Sequence, residues 1–175
     1  TFTNKAAKEM KERIAGIVGE KTASQLWMGT FHSIFSRILR QHAECLGFTS
    51  QFTIYDSADS KSLLKSIIKT KNLDDKIYKA GNIQSKISIL KNHLVSPSSY
   101  AQDPECQRND YLQKMPEFYS IYKQYVERCK QSNAMDFDDL LVNAYLLLSK
   151  HQDVLERYQE RFRQISVDEY QDTNH

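Results

Sequence analysis

The residues best suited to chemistry lie near the C-terminal end of the sequence, where two adjacent carboxylates follow a short apolar stretch. Asp168 and Glu169 come directly after residues 165–167, which have the composition of a buried strand. Open α/β folds bind ligands at the carboxyl ends of their strands. In nucleotide hydrolysis the first carboxylate of such a pair can hold Mg²⁺ through water, and the second can orient or deprotonate the attacking water. An Asp-Glu pair taken alone is more often a solvated acidic turn, so other segments must decide between these interpretations.

Two further segments, residues 1–10 and 29–33, are each predicted to run from a strand into the first turn of a helix. Free N–H groups and the helix dipole at such an end suit phosphate. Each segment also carries an aromatic residue there, Phe2 in the first and Phe31 in the second. An exposed ring at this position can stack on a nucleic-acid base. By residue type alone, however, both are ordinary core residues.

The elements that must position these segments are mostly helical. Apolar residues recur at helical spacing in seven stretches, near residues 4–18, 31–46, 57–68, 83–94, 118–129, 137–148 and 154–162. Asp56, paired with Asp59, and Asp136 are predicted to cap two of these helices, and Gly19 to end the first. Short strands are predicted at residues 26–28, 52–55 and 165–167, and a polar loop at residues 98–110. A long helical middle between strand-containing ends predicts a helical insertion in an α/β domain. We therefore expect residues 166–168 to lie parallel to a strand near residues 1–3 in one sheet.

Composition sets broad limits on the class of protein. The 175 residues are 40% hydrophobic and 26% charged, as in ordinary globular proteins. No apolar run approaches the roughly 20 residues of a membrane span. Three widely spaced cysteines favour reduced thiols in the cytoplasm over disulfides or a zinc site. The net charge of +2 argues only weakly for nucleic acid, although residues 61–91 form a locally basic stretch. That stretch is either a solvated helical face or a surface for duplex DNA.

Four segments carry a resemblance to one family. TFTNKAAKEMKERI, which opens the chain, resembles motif Ia of the UvrD/Rep family of superfamily 1 helicases, and GTFHSIFSRILR from residue 29 resembles motif Ib. MDFDDL from residue 135 is similar to the segment that closes the inserted subdomain in that family, and VDEYQDTN from residue 167 resembles motif II, the Walker B segment. The four occur in family order along the whole chain.

The resemblance implies a mainly α fold with a small parallel β portion. A partial RecA-like subdomain 1A would comprise residues 1–53 and 135–175, and a helical insertion, subdomain 1B, would comprise residues 54–134. In this scheme Asp168 is the Mg²⁺ carboxylate, Glu169 is the catalytic base, and Gln171 lies near the nucleotide and couples its state to DNA.

The same resemblance implies a track for single-stranded DNA. Phe2 would stack on a base, and further contacts would come from two sets of neighbours, namely Thr3, Asn4 and Lys5 in the first motif and Thr30, Phe31 and His32 in the second. The expected partners are single-stranded DNA and its junctions with duplex, and no membrane. By type alone, His32 is an ordinary polar residue of a helix start, and only the surrounding motif favours a DNA contact.

The sequence also departs from the family pattern. The Gly-rich Walker A loop that precedes motif Ia in the family is absent, and GIVGEKT at residues 16–22 lacks the required register and follows a predicted helix. We therefore expect a piece of a longer ATP-dependent 3′–5′ DNA helicase of repair or replication, in the bacterial cytosol or nucleoid. ATP and Mg²⁺ would serve the longer protein, whereas this chain alone would bind no cofactor tightly and hydrolyse no ATP. Two alternatives stay open, a motor module of a RecB- or AddA-like recombination nuclease and a non-enzymatic helical interaction domain.

Overall fold

The computed structural model describes residues 1–172, and the elements in that part of the chain are mainly helical, as predicted. The helices are α1 Asn4–Val18, α2 Glu20–Ala23, α3 Phe31–His42, α4 Ser57–Thr70, α5 Ala80–Asn92, α6 Pro97–Gln102, α7 Pro104–Leu112, α8 Phe118–Gln131, α9 Phe137–Lys150 and α10 Gln152–Arg161. The strands are β1 Thr53–Tyr55 and β2 Ala134–Asp136. Short 3-10 turns lie at Ala43–Leu46 and Tyr170–Asp172.

The two strands form a small parallel sheet. Thr53 is paired with Ala134, and Tyr55 is paired with Asp136. Parallel neighbours need a long crossover connection, which is supplied here by helices α4 to α8. The extended stretch at residues 52–55 was predicted, whereas β2 was not. The chain thus enters and leaves its helical middle through adjacent strands.

Reciprocal capping boxes start the helices that follow each strand. Before α4, Asp56 accepts a hydrogen bond from the Asp59 amide at 2.8 Å, and the Asp59 carboxylate accepts one from the Asp56 amide at 3.1 Å. Asp136 and Asp139 repeat this arrangement before α9 with the same two distances, 2.8 and 3.1 Å. Each box satisfies amides that a helix N-terminus would otherwise leave unpaired. Both caps were predicted from the sequence and are confirmed.

The predicted polar loop at residues 98–110 is wrong, because helices α6 and α7 occupy most of it. Ser96 caps α6 by accepting a hydrogen bond from the Ser99 amide at 3.1 Å. Asp103 caps α7 by accepting one from the Glu105 amide at 2.9 Å. In both cases proline follows the cap at the first helical position, where its missing N–H costs nothing. The Ser-Pro and Asp-Pro pairs are helix starts here.

Buried apolar side chains form two separate clusters. The helical middle has its own core, which includes Leu64, Ile67, Ile83, Tyr100, Phe118, Ile121, Tyr122 and Tyr125. The second core joins parts of the chain on both sides of that middle and includes Ile38, Leu39, Phe52, Met135, Leu140, Leu147, Val154 and Tyr158. The segments before and after the helical middle therefore pack together, as expected.

The predicted pairing of residues 1–3 with residues 166–168 is wrong in the described part of the chain. Neither segment is a strand, and residues 26–28 are not a strand either. Ile165, expected to be buried, is 77% exposed. A strand needs hydrogen-bonding neighbours, and among residues 1–172 the strands that pair are β1 and β2. In the same residues, no helix has both the length and the apolar character that crossing a bilayer requires.

Two isoleucines of α5 allow a matched test of the helical core. Ile83 is fully buried, whereas Ile89 is 60% exposed. We predict that Ile83→Ala lowers the free energy of unfolding by about 2–5 kcal/mol, because it removes buried methyl groups and leaves a cavity. Ile89→Ala should change it by less than about 0.5 kcal/mol. Urea unfolding followed by circular dichroism measures both, and equal effects would contradict this assignment of the core.

Candidate nucleic-acid and nucleotide site

The first residues of the chain lie beside the loop that leads into α3. The Phe31 amide donates a hydrogen bond to the Thr1 carbonyl at 3.2 Å. The terminal amine of Thr1 donates to the Gly29 carbonyl at 3.5 Å. These contacts bring the first and second predicted DNA-binding segments together, with the ring centroids of Phe2 and Phe31 5.1 Å apart.

Threonine caps set the direction of both helices. Thr3 accepts a hydrogen bond from the Ala6 amide at 3.1 Å, and Thr30 accepts one from the Ser33 amide at 3.2 Å. The Ser33 hydroxyl also donates to the Thr30 carbonyl at 2.8 Å, and a Cβ at Gly29 would collide with that hydroxyl. Thr30 is only 7% exposed. Its side chain therefore holds the turn that presents Phe31 and His32, while Asn4 and Lys5 are exposed on the first turn of α1.

A surface of four rings, which we call the aromatic ridge, consists of Phe2, Phe31, His32 and Phe137. His32 meets Phe137 edge-on, with centroids 5.3 Å apart and ring planes at 83°. Phe2 is 40% exposed and Phe137 is 49% exposed. Sequence reasoning missed Phe137 because it counted this residue in the buried stripe of α9. The signal was its position directly after the Asp136 cap, one turn before the buried stripe begins at Leu140.

The environment of His32 favours its neutral form. Burial lowers the pKa of His32 below its ordinary value, and the nearby Asp138 carboxylate offsets only part of that effect. A neutral imidazole presents one donor, one acceptor and an aromatic face. His32 is therefore suited to stacking and hydrogen bonding more than to attracting phosphate as a cation.

The candidate catalytic carboxylates lie close to the ridge. Asp168 is exposed, and its side chain accepts a hydrogen bond from the Glu169 amide at 3.0 Å. Glu169 has a left-handed backbone with φ of 58°, a conformation that costs a non-glycine residue roughly 1–2 kcal/mol. Its carboxylate accepts a hydrogen bond from the Thr1 hydroxyl at 3.3 Å. Gln171 is exposed in the adjoining 3-10 turn, and the end of the motif, residues 173–175, lies outside the described residues.

Carboxylate oxygens are the ligands that Mg²⁺ prefers, and one or two suffice when water completes the shell. Asp168, being exposed, fits that role. Among residues 1–172, however, His, Cys, Asp and Glu do not gather in any group of three or more that could enclose a metal. The glycine-containing segment at residues 16–22 does not form a phosphate loop. It follows α1 without a strand, and Gly19 is the helix C-cap with φ of 84°, as the sequence predicted.

A buried ion cluster lies at the other side of the ridge. The Lys91 ammonium is 2.6 Å from an Asp136 oxygen and 2.7 Å from an Asp139 oxygen, and it is almost fully buried. The Tyr125 hydroxyl donates to Asp136 at 2.8 Å. Lys91 was counted in the basic stretch as an exposed cation, and that expectation is wrong for this residue. Its ammonium group pairs with two carboxylates inside the protein and does not face solvent.

One ammonium cannot neutralise two carboxylates, and the pKa values diverge accordingly. Burial opposes the charge of Lys91, but Asp139 and Asp136 overcome it and raise the pKa of Lys91. Burial likewise opposes the charge of Asp136, but Lys91 keeps the pKa of that carboxyl below its ordinary value. Burial raises the pKa of Asp139 to about 6, because Lys91 offsets the effect only in part and Asp136 adds to it.

Four exposed lysines of the basic stretch line one groove. A groove with a volume of about 810 Å³ between α4 and the start of α5 is lined by Lys61, Lys65, Lys69 and Lys79, with Asp74 and Asp75 at its edge. We call this the lysine groove. Within residues 1–172 these four lysines form no ion pair, in contrast to Lys86, which lies 2.5 Å from Asp110.

Over residues 1–175 the sequence matches the family described as UvrD/REP helicase N-terminal domain. The chain belongs to this family. It is 43% identical over 174 residues to the ATP-dependent DNA helicase PcrA of Staphylococcus epidermidis, a match that covers 99% of this chain and 23% of the relative. The protein of the same name from Staphylococcus aureus is 42% identical over 174 residues, with the same coverage of 99% and 23%. This UvrD/REP chain thus spans about a quarter of the length of these relatives.

The ion cluster generates a prediction about stability and pH. Because the pKa of Asp139 is raised in the folded chain, its proton is held more tightly there. The resulting stabilisation is full below the ordinary value of 3.8 and is lost as the pH rises through about 6. Asp139→Asn abolishes this titration but keeps an oxygen for the Asp136 amide. We predict that the free energy of unfolding of Asp139→Asn, relative to the unchanged chain, rises between pH 4 and pH 7 in urea titrations.

The matched control is Asp59→Asn, the same position in the exposed capping box of α4. The rise should be larger for Asp139→Asn than for this control. A flat difference for Asp139→Asn would show that the buried carboxylate does not titrate as described.

Proposed function

We propose that this chain is the part of an ATP-driven DNA helicase that carries a single-stranded-DNA track and the Mg²⁺-binding carboxylate of the motor. One observation carries the proposal: Thr1 joins the two sites. Its carbonyl accepts from the Phe31 amide at 3.2 Å, and its hydroxyl donates to Glu169 at 3.3 Å. A base-stacking surface and a candidate catalytic carboxylate are thus separated by a single residue. The names of the relatives, ATP-dependent DNA helicases, agree with this pairing.

At the track, Phe2 and Phe31 offer ring faces to successive bases, and His32 adds a neutral ring and a hydrogen bond. Each stacked base contributes roughly 1–3 kcal/mol of binding. Lys5 and Asn4 contact the sugar-phosphate backbone at the start of α1, where the helix dipole also favours an anion. Thr3 and Thr30 act as caps that hold the contacting residues in place.

Asp168 would hold the Mg²⁺ of the bound nucleotide, and Glu169 would orient the attacking water and accept its proton. Mg²⁺ bound to ATP supplies charge neutralisation on the phosphates. Gln171 would lie near the nucleotide and couple the state of the nucleotide to the DNA track. The hydrogen bond between Thr1 and Glu169 links the candidate base to the backbone that carries Phe2. The phosphates themselves would be held by other parts of the longer protein.

The proposal includes the division of the chain into subdomain 1A, residues 1–53 and 135–175, and a helical subdomain 1B, residues 54–134. The separate core of the helical middle supports it. The lysine groove on that unit would meet the duplex ahead of the single strand, because unpaired ammonium groups attract phosphate. Movement along the strand would be 3′ to 5′, as the family resemblance implies, in DNA repair or replication. No contact within residues 1–172 favours the nuclease-motor or the interaction-domain alternative.

The first test is binding of a fluorescent oligothymidylate by the 175-residue chain. We predict weak binding that falls with salt, since phosphate contacts release counterions. Removing the exposed ring with Phe2→Ala should weaken binding about tenfold, and His32→Ala should also weaken it, because each loses a stacking partner. Anisotropy titrations at two salt concentrations measure these effects. His93→Ala, an exposed histidine at the end of α5, is the control and should bind as the unchanged chain does. Affinity that responds to neither salt nor these substitutions would exclude the track.

The second test uses the longer protein that contains this chain. Asp168→Asn should weaken binding of Mg²⁺-nucleotide, because it removes the charge directed at the metal. Glu169→Gln should leave that binding nearly intact and lower kcat by about 10²–10⁴-fold, the usual contribution of a general base. Nucleotide Kd and kcat are measured with saturating single-stranded DNA. Small and similar effects of both substitutions would indicate a structural acidic turn, and phosphate release by the 175-residue chain alone would contradict the expectation that it is inactive.

A further inference from the structure

The buried ion cluster joins three helices at the first turn of α9. Lys91 comes from α5 and Tyr125 from α8, both in the helical middle, while Asp136 and Asp139 form the capping box of α9. Both carboxylates lie within 2.7 Å of the Lys91 ammonium, and the Tyr125 hydroxyl lies 2.8 Å from Asp136. The first turn of α9 is therefore fixed from one side by two helices of the unit that would be subdomain 1B.

The other side of this turn faces the aromatic ridge. Phe137 lies between the two carboxylate residues in sequence, and its ring meets His32 at 5.3 Å. The next residue, Asp138, accepts a hydrogen bond at 3.3 Å from Asn92, the neighbour of Lys91 on α5. The end of α5 thus contacts the residues on both sides of Phe137. The position of the ring that contacts His32 is therefore tied to the end of α5.

We propose that Lys91 is a positioning residue of the DNA track, which it keeps in register with the helical insertion by fixing Phe137 against His32. This inference rests on the proposed function, because it concerns the same track. Lys91 itself touches no DNA, since it is buried. The coupling is mechanical: reorientation of the helical unit changes how the ridge presents its rings.

The choice of charged residues supports positioning over simple stabilisation. A buried ion pair gains little over well-packed apolar residues, since desolvation offsets the attraction, whereas removing one partner is costly. Such a pair does constrain the relative orientation of the two elements that it joins. A lysine shared by both carboxylates of one capping box is satisfied only at a single rotation of that turn, and an apolar contact would allow several. The formal charge of the cluster is −1, from one lysine and two carboxylates.

The decisive variant keeps the formal charge of the cluster and removes the ion pairs between Lys91 and the capping box. Lys91→Met combined with Asp139→Asn leaves Asp136 as the single charged member, so the formal charge remains −1. The Asn oxygen can still accept from the Asp136 amide. We expect the pKa of His32, followed by NMR, to rise towards its ordinary value of 6.5 as the ring loses its cover. Affinity for oligothymidylate should fall about fivefold or more, the effect of one misplaced stacking partner.

Lys86→Met is the matched control. Lys86 also lies on α5 and pairs with a buried carboxylate, Asp110 at 2.5 Å, but that pair does not touch α9. This variant should lose stability and yet leave both the His32 titration and the oligothymidylate affinity unchanged. Tyr125→Phe, which removes one hydrogen bond to Asp136 and no charge, should shift both readouts in the same direction as the double variant, but less.

The positioning role would be overturned if the pKa of His32 did not change in the folded double variant. It would also be overturned if that pKa changed equally in Lys86→Met. If the double variant does not fold, the single variant Asp139→Asn decides the matter, because it removes one of the two carboxylates that hold Lys91, and an unmoved His32 titration there has the same meaning. Failure of the unchanged chain to bind oligothymidylate would instead overturn the proposed function. The His32 titration needs no DNA, so the two failures can be told apart.

Discussion

Much of the structure depends on one carboxylate, that of Asp136. It is the last residue of β2 and pairs with Tyr55 of β1, so it lies where the chain returns from the helical middle. One of its oxygens caps α9, and the other accepts from Lys91 and Tyr125. Asp136 is therefore the last residue of a strand and the cap of a helix. Its bonds to Lys91 and Tyr125 also connect α9 to the helical middle. A polar group with this many partners tolerates burial because each lone pair is used.

Interactions between residues close together along the chain were easier to predict from sequence than interactions between distant residues. The caps at Asp56 and Asp136 were predictable because each is decided within three residues. The Lys91–Asp136 pair was not, because its members are 45 residues apart and a lysine in a basic stretch usually faces water. The helix starts at Pro97 and Pro104 were missed although their signals are local, because the polar composition of residues 98–110 was interpreted as a loop.

The same reasoning explains the outcome at the candidate site. Thr3 and Thr30 cap α1 and α3, and the same motifs place them at the proposed track. The spacing of these motifs therefore specifies the geometry of each turn. Residues 165–167, just before Asp168 and Glu169, were assigned to a strand from their apolar composition. Strand formation depends on partners elsewhere in a sheet, and nothing in the local sequence specifies them. Phe137 was misplaced for the opposite reason, since helical periodicity alone does not show where a stripe stops being buried.

The ridge is thus held from two sides by contacts of different kinds. On one side, Thr1 links Phe31 to Glu169 through two long hydrogen bonds, of 3.2 and 3.3 Å, with no ion pair. On the other, the ion cluster links Phe137 to α5 through contacts sealed from water, which resist gradual displacement because a half-broken pair leaves a charge unsatisfied. The link through Thr1 is therefore the more compliant of the two, and the link to α5 is the stiffer one. Under the function proposed above, a change at Glu169 would move Phe2 and Phe31 relative to Phe137, and the spacing between stacked bases would be the quantity that changes.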